Sequence, residues 1–556
     1  TDARDARRLP DGLFRRPPME MFMSAQDYDV DKGVPQESSL LTSSAPRTDA
    51  TPQAAAPEFP AVYKESRWPL IAVLIGPAIY LAFLLVPFAD STVTQRGGLA
   101  IILVAAWYWG TGCIPSGYVM AVPVFGTAFL PGMKFGEILQ TLIHPSLPML
   151  LGPALIVCMW SRWGFTRRMA LFVLGKVGTS VRVQAVTWLL LATSISFVAA
   201  NVVIAIALTP IVLEMLKAVG YDSPSKLLKS KSAMLIIIAV GIGASLGGFL
   251  TPMAGGQAAI TWTQLCTTLG YTVPMAPFAA RLALPVFLSI IPVALLFGMF
   301  FPSDVKRFEG SEDYFLDELK RMGPLSRAEL WGVVIFLFAI ILPFTQPLWQ
   351  PIVPQGIDIN PNIIFATITC LLALIPAPDK GAAVKPSEYQ KGERLLGMNS
   401  IKILPLQAFL IWPTAMSISI LVNKTGASDL MVPLLGQYWN LPPYVGTGLF
   451  ALFCVALGNV ASDTGAAGML APVVASATMA AGENPIPWLL MMGYTVNFSF
   501  MVPSATGTMA LPIALGGKAS WRLPVYGFFV AVACGVVSWL FWGTVQALDL
   551  QFWLTV

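Results

Sequence analysis

From Trp68 onward the chain alternates long apolar runs with short polar or basic stretches. Run length and helix breakers place apolar segments at 68–89, 97–112, 117–131, 148–161, 184–199, 202–218 and 232–270. They continue at 277–301, 328–346, 361–377, 402–422, 443–482, 486–515 and 523–546. Such runs far exceed the ~10 residues of a transmembrane barrel strand. The pattern therefore predicts an all-α polytopic membrane protein, with about eleven transmembrane helices plus two shorter excursions.

Those excursions follow from charge. Arg162, Arg167, Arg168, Lys176 and Arg182 precede the pair 184–218, and Lys226, Lys229 and Lys231 follow it. Two basic flanks belong on the cytoplasmic side, so this pair enters and returns on one side as a re-entrant hairpin, with Asn201 near its tip. Residues 443–482 lack basic flanks, having Gln437-Tyr438-Trp439 before and Glu483-Asn484 after, and are predicted to enter from the outer side. The tip of this second hairpin lies in 457–472, a run of small and hydroxyl residues around one carboxylate, Asp463. Spans 232–270 and 486–515 are each interrupted, at Gly247-Gly248 with Thr251–Gly256 and at Pro503–Thr508. The loops at 303–327 and 378–402 are also assigned to the cytoplasm. Loop charge puts the N-terminus inside and the C-terminus outside.

Residues 1–64 are of different material, rich in Pro, Ser, Ala and charge. They lack the apolar surface to fold alone and read as a disordered or surface-lying tail. Asp2, Asp5 and Asp11 argue against a transit peptide despite Arg7, Arg8, Arg15 and Arg16. The start at Thr1 reads as trimming or processing. Segment 303–327 is amphipathic and of mixed charge, dividing the membrane part into repeats at 68–302 and 328–546.

Composition agrees with this picture: 56% of the 556 residues are hydrophobic and 12% charged, half the ~25% charged of a soluble domain, and mean hydropathy is +0.69. A net charge of +4 arises from the basic loops and gives no reason to expect nucleic acid as a partner; the lipid bilayer is the partner expected. The six cysteines are scattered through apolar segments and the single histidine, His144, precedes Pro145. Neither yields a metal motif or a disulfide framework. The Met-rich positions Met469, Met479, Met491, Met492 and Met501 read as packing. No nucleotide loop, zinc motif or nucleophile–base set appears, so an enzyme is not expected.

The halves share a pattern. Ala200-Asn201-Val202 leads to Thr209-Pro210, and Ser462-Asp463-Thr464 leads to Ala471-Pro472; Ala200 to Pro210 and Ser462 to Pro472 both span ten residues. Opposite hairpin sides make this an inverted repeat, with both tips near the midplane. Helix N–H groups there suit an anion and carbonyls suit a cation such as Na⁺.

At these residues the chain resembles the divalent anion/sodium symporter family, the dicarboxylate, citrate and sulfate carriers of the ion transporter superfamily. That family has paired Ser-Asn-Thr tips and downstream Thr-Pro-Pro-Asn-like breaks, and Arg167-Arg168-Met169-Ala170 resembles another of its segments. The resemblance implies substrate contacts from Asn201, Val202, Gly255, Ser462, Asp463, Thr464, Thr506 and Gly507. It implies one Na⁺ site at Ser196, Asn201 and Ala254, and another at Gly458, Ala461, Asp463 and Ala505. It further implies a homodimer working by elevator-type alternating access, with no cofactor beyond the coupling ion. The first triplet, however, keeps only Asn201, and Asp463 stands where the family has Asn. Asp463 could pair with a cation beside an anion, could carry a proton because burial raises a carboxyl pKa, or could indicate a substrate that is not a dianion. Asp463 and Asn201 could each also serve as helix caps. The function expected is secondary active transport of a small anion, a di- or tricarboxylate, coupled to Na⁺ or H⁺. The alternative is a transport-inactive scaffold or accessory subunit of a larger membrane assembly.

Overall fold

Leu, Ile, Val, Phe and Ala on every face of a segment leave an α-helix as the way to satisfy its backbone in hydrocarbon, and helices make up most of the described residues. The computed structural model describes residues 68–556, except 89, 310, 355–356, 358, 382–383, 385–388, 405, 503–504, 510–521 and 556. The expected tail at 1–64 and Pro503-Ser504 of the second break lie outside the described residues. The longer helices are α1 (Trp68–Leu85), α2 (Val93–Thr111), α3 (Leu147–Trp163), α4 (Phe165–Leu174), α5 (Val181–Ser196) and α6 (Asn201–Ala218). Then follow α7 (Lys231–Gly247), α8 (Gly256–Thr263), α9 (Met275–Leu295), α10 (Ser311–Arg321), α11 (Arg327–Phe344) and α12 (Pro361–Leu374). The last are α13 (Leu406–Thr425), α14 (Ala427–Trp439), α15 (Pro443–Ala461), α16 (Asp463–Ala480), α17 (Pro485–Val496) and α18 (Arg522–Ala547).

Among the described residues five helices are long and apolar enough to cross a membrane: α6, α9 with its extension to Phe300, α11, α15 and α18. Six shorter apolar helices of 10–17 residues join them. The chain is an integral membrane protein. Two stretches differ from the sequence reading. The basic stretch after α3 contains helix α4, whose charges face partners instead of open solvent. The stretch between 422 and 443, left unassigned, forms α14.

Where the two hairpins are expected, the chain forms consecutive helices. Helices α5 and α6 are joined through Phe197–Ala200, and α15 and α16 through Ser462 alone. Helix α5 lies directly on α7, because Gly243 and Gly247 leave no side chain between the backbones: a Cβ on either would strike Leu189 or Thr193 carbonyl oxygen. In a membrane such small-residue contacts replace the hydrophobic drive that water provides elsewhere. Thr193 Oγ1 donates to Gly243 O (2.9 Å) and Ser196 Oγ to Ala244 O (2.7 Å), fastening the crossing.

The two halves interlock reciprocally. Helix α16 packs on α8, which follows the break in the first half, while α6 packs on the short turn Gly507–Met509, which follows the break in the second. Away from this centre, arginines pin the connecting segments. Arg168 grips Glu329 with two nitrogens (2.9 and 3.1 Å) and donates to Gly323 O (2.7 Å) and Pro324 O (3.1 Å). Glu329 is fully buried and also closes the capping box of α11 with Ser326. Arg167 sits 2.9 Å from both Glu214 of α6 and Glu318 of α10. Arg162 pairs with Glu393 through two nitrogens, both at 3.1 Å.

Candidate functional site

Glycine and proline stop α7 at Gly247, and the chain resumes a helix only at Gly256. Between them the chain makes local turns, and one backbone carbonyl and one side-chain hydroxyl reach the first tip. Ala254 O accepts the Asn201 N–H (2.8 Å) and Thr251 Oγ1 donates to Phe197 O (2.7 Å). Asn201 opens α6, and its Oδ1 accepts the N–H of Val202 (2.8 Å). Of the three residues expected to form the first cation set, Asn201 and Ala254 are thereby joined directly, while Ser196 Oγ donates to Ala244 O (2.7 Å). Ser196, Asn201 and Ala254 are all buried, and an oxygen of each takes part in one of these bonds.

The second tip is tighter. Ser462 has φ +70°, an unusual left-handed value for a serine, and its Oγ accepts the Gly465 N–H (3.3 Å). Ser462 is thus the cap of α16, and Asp463 is the first helical residue. The Asp463 carboxylate accepts from Thr464 N–H (2.6 Å) and Thr464 Oγ1 (3.1 Å), and Thr506 lies close to it. None of these partners is cationic. Asp463 is 6% exposed. Ser462, not Asp463, is therefore the helix cap, and the Asp463 carboxylate satisfies the Thr464 N–H just inside the helix.

Gly255 and Gly256 join the two tips. A Cβ on Gly256 would lie 2.6 Å from Thr464 Cγ2, and one on Gly255 would strike Gly248 O. Only backbone fits there, so Thr464 rests directly on the segment that also contacts Asn201. The contacts run from Asn201 through Ala254–Gly256 and Asp463–Thr464 to Thr506. Gly507 begins the adjoining turn and Ala505 is buried beside it. Gly458 brings α15 onto the second break, since its Cβ would sit 2.5 Å from Val496 O and Ser499 Oγ. Ala461 ends α15, where helix carbonyls lack intrahelical partners and carry the negative end of the dipole. The oxygens gathered here are carbonyl, carboxamide, hydroxyl and one carboxylate, a donor set suited to a hard cation. Among the described residues no cluster of three His, Cys, Asp or Glu exists that would suit a transition metal.

Asn497, Gln257 and Asn459 also belong to the centre, and none has a site role in the sequence reading. Asn497 bonds Gln257 Nε2 to its Oδ1 (2.5 Å) and donates Nδ2 to Ser245 O (2.9 Å). Asn459 donates to Phe498 O (3.1 Å) and accepts the Met501 N–H (2.8 Å), holding the unwound second break to α15. The available signal was a carboxamide inside an apolar run, costly there unless partnered.

Comparison with known proteins follows this geometry. The family model described as "Citrate transporter" (CitMHS) matches residues 99–493. The sodium-dependent dicarboxylate transporter SdcS of Staphylococcus saprophyticus is 21% identical over 477 residues, covering 84% of this chain and 89% of that protein. SdcS of Staphylococcus aureus (strain USA300) is 21% identical over 480 residues, with the same coverage. Among solved structures, the YdaH transporter of Alcanivorax borkumensis aligns with 83% of this chain and all of that one, at 13% identity and a TM-score of 0.44.

Proposed function

The chain belongs to the citrate transporter family, and from that premise we propose that it is a secondary active carrier of a di- or tricarboxylate, driven by Na⁺. It is a transporter and not an enzyme. The observation that carries the reading is Asp463: a buried carboxylate at the meeting of two helix tips, with hydroxyl and amide partners and no cationic one. A buried charge left in that state costs several kcal/mol. Na⁺ between Asp463 and the carbonyls of Gly458, Ala461 and Ala505 removes that cost. A second Na⁺ at Ser196, Asn201 and Ala254 adds positive charge on the other side of Gly255 and Gly256.

This gives an order of binding. An anion entering beside an uncompensated Asp463 is repelled, so cations bind first and the anion follows. Thr464, Thr506 and the backbone N–H groups at Gly255, Ser462 and Gly507 then contact the anion, with Val202 beside it. The first N–H groups of both tips already bond to Asn201, Asp463 or Ser462 side chains or to Ala254 O. The anion's charge is therefore balanced mainly by Na⁺. A proton on Asp463 is the competing way to neutralise the same group. The sodium-dependent relatives support Na⁺ as the coupling ion.

The reciprocal packing of each hairpin on the other half's break supports the inverted repeat, with tips entering from opposite faces. Movement of the two hairpins as one body, elevator fashion within a homodimer, follows as the expected alternating-access step, with the N-terminus cytoplasmic and the C-terminus outside. One observation favours the alternative of a transport-inactive scaffold: the first tip has Ala200 and Val202 in place of hydroxyl residues. Proteoliposomes decide between them. Labelled citrate or succinate should accumulate when an inward Na⁺ gradient is imposed; absence of gradient-dependent uptake of either anion by folded protein would overturn the carrier reading.

A further inference from the structure

A broken helix lacks the backbone hydrogen bonds that keep its halves in line, and the break between α7 and α8 has only local turns of its own. Asn497 supplies the missing connection from the other half of the chain. Its Nδ2 donates to Ser245 O in the last turn of α7, and its Oδ1 accepts Gln257 Nε2 in the first turn of α8. Ser245 Oγ lies 3.4 Å from the same Oδ1. Ser245, Gln257 and Asn497 are all at most 1% exposed. Gln257 Oε1 is buried without a hydrogen bond. A carboxamide kept at that cost, where an apolar side chain would fill the space, points to its other end as the useful one.

We propose that Asn497 and Gln257 are positioning residues: a carboxamide clasp from the second repeat that fixes the two halves of the first repeat's broken helix, and with them the Ala254–Gly256 segment that touches both tips. Gln257 adjoins Gly256, on which Thr464 rests, and Ala254 holds Asn201. Loosening the clasp therefore moves the carbonyl of the first cation set and the floor under Thr464 together. The effect on cation dependence rests on the carrier reading above; the effect on local structure does not.

The test uses full-length protein in nanodiscs and proteoliposomes. Asn497→Leu and Gln257→Met each leave one buried polar partner stranded, whereas the double variant removes both and should regain most of the lost thermal stability. In the double variant, amide hydrogen exchange across 248–256 should still be accelerated about tenfold, and half-saturation by Na⁺ should rise by about the same factor, equal to ~1.4 kcal/mol. A double variant with native exchange at 248–256 and native Na⁺ dependence overturns the proposal, leaving the pair as packing only. If a single variant fails to fold, the double variant decides alone. If the native protein shows no Na⁺-driven uptake, the carrier reading falls while hydrogen exchange still decides the clasp.

Discussion

Replacing Asp463 by Asn tests the electrostatics of the site with little disturbance to its shape. The Asn side chain keeps an oxygen where Asp463 Oδ1 accepts from Thr464 N–H at 2.6 Å and Thr464 Oγ1 at 3.1 Å, so the start of α16 should hold. Ser462 remains the cap in either case. What disappears is one negative charge. Opposite unit charges ~4 Å apart attract by about 4 kcal/mol at an effective dielectric of 20. Loss of a third to a half of that, after the saved desolvation is credited, is ~1.4–2 kcal/mol, or about 10- to 30-fold in cation affinity. Sodium titration of citrate or succinate uptake is the assay, repeated across pH. Asp463→Asn should move the Na⁺ half-saturation upward by that factor and flatten any pH dependence that arises from Asp463. A variant with unchanged Na⁺ and pH responses, folded and active, would refute the role given to this carboxylate.

Two further predictions concern the framework around the site. Arg168→Gln strands the fully buried Glu329 carboxylate and should cost about 3–5 kcal/mol; Arg168→Lys should recover only part, because one ammonium cannot replace a two-pronged grip. Thermal melting in nanodiscs reads both, and a native melting point for Arg168→Gln would contradict the buried pair. Asp304 accepts from Ser230 Oγ (3.1 Å), Lys231 N–H (3.1 Å) and Ser232 N–H (2.8 Å) at the start of α7. Burial alone would raise its carboxyl, but the hydrogen bonds from Ser232 and Ser230 outweigh that and hold it down at about 2, below the ordinary 3.8. Its stabilisation is then present above pH ~4 and lost as pH falls from there toward 2. Asp304→Asn should cost about 1 kcal/mol at neutral pH and match the native protein near pH 2. An equal gap between the two proteins at both pH values would rule out this titration.

The all-helical membrane class was legible because bilayer chemistry writes itself in long apolar runs. The break at Gly247–Gly256 could be read from its own Gly and Pro residues, and Asp463 from the cost of a carboxylate in an apolar run. Helix α14 was not legible: Asp429, Pro433 and Gly436 punctuate it like a loop, and its packing against α16 and α2 sustains it. Arg167 and Arg168 read as a basic loop, but their partners Glu214, Glu318 and Glu329 lie 47 to 161 positions along the chain, counted from Arg167 to Glu214 and from Arg168 to Glu329. Asn497, Gln257 and Asn459 carry no charge; Asn459 lies inside the 457–472 run and Gln257 directly follows the Thr251–Gly256 break, yet neither position marks its partner. Their importance comes from meeting across the fold, which no local pattern encodes. Spacing could show that Ala200–Pro210 and Ser462–Pro472 were alike, but not that each hairpin would rest on the other half's break.

The central claim is that the two helix tips and the Ala254–Gly256 segment form one site for an anion and its coupling cations. A structure of the full chain in nanodiscs with saturating Na⁺ and citrate tests it most directly. The account predicts anion density bounded by Gly255, Thr464 and Thr506, with cation density against Asp463 and against Asn201. Citrate bound elsewhere, with Asp463 and Asn201 contacting no cation, would contradict it.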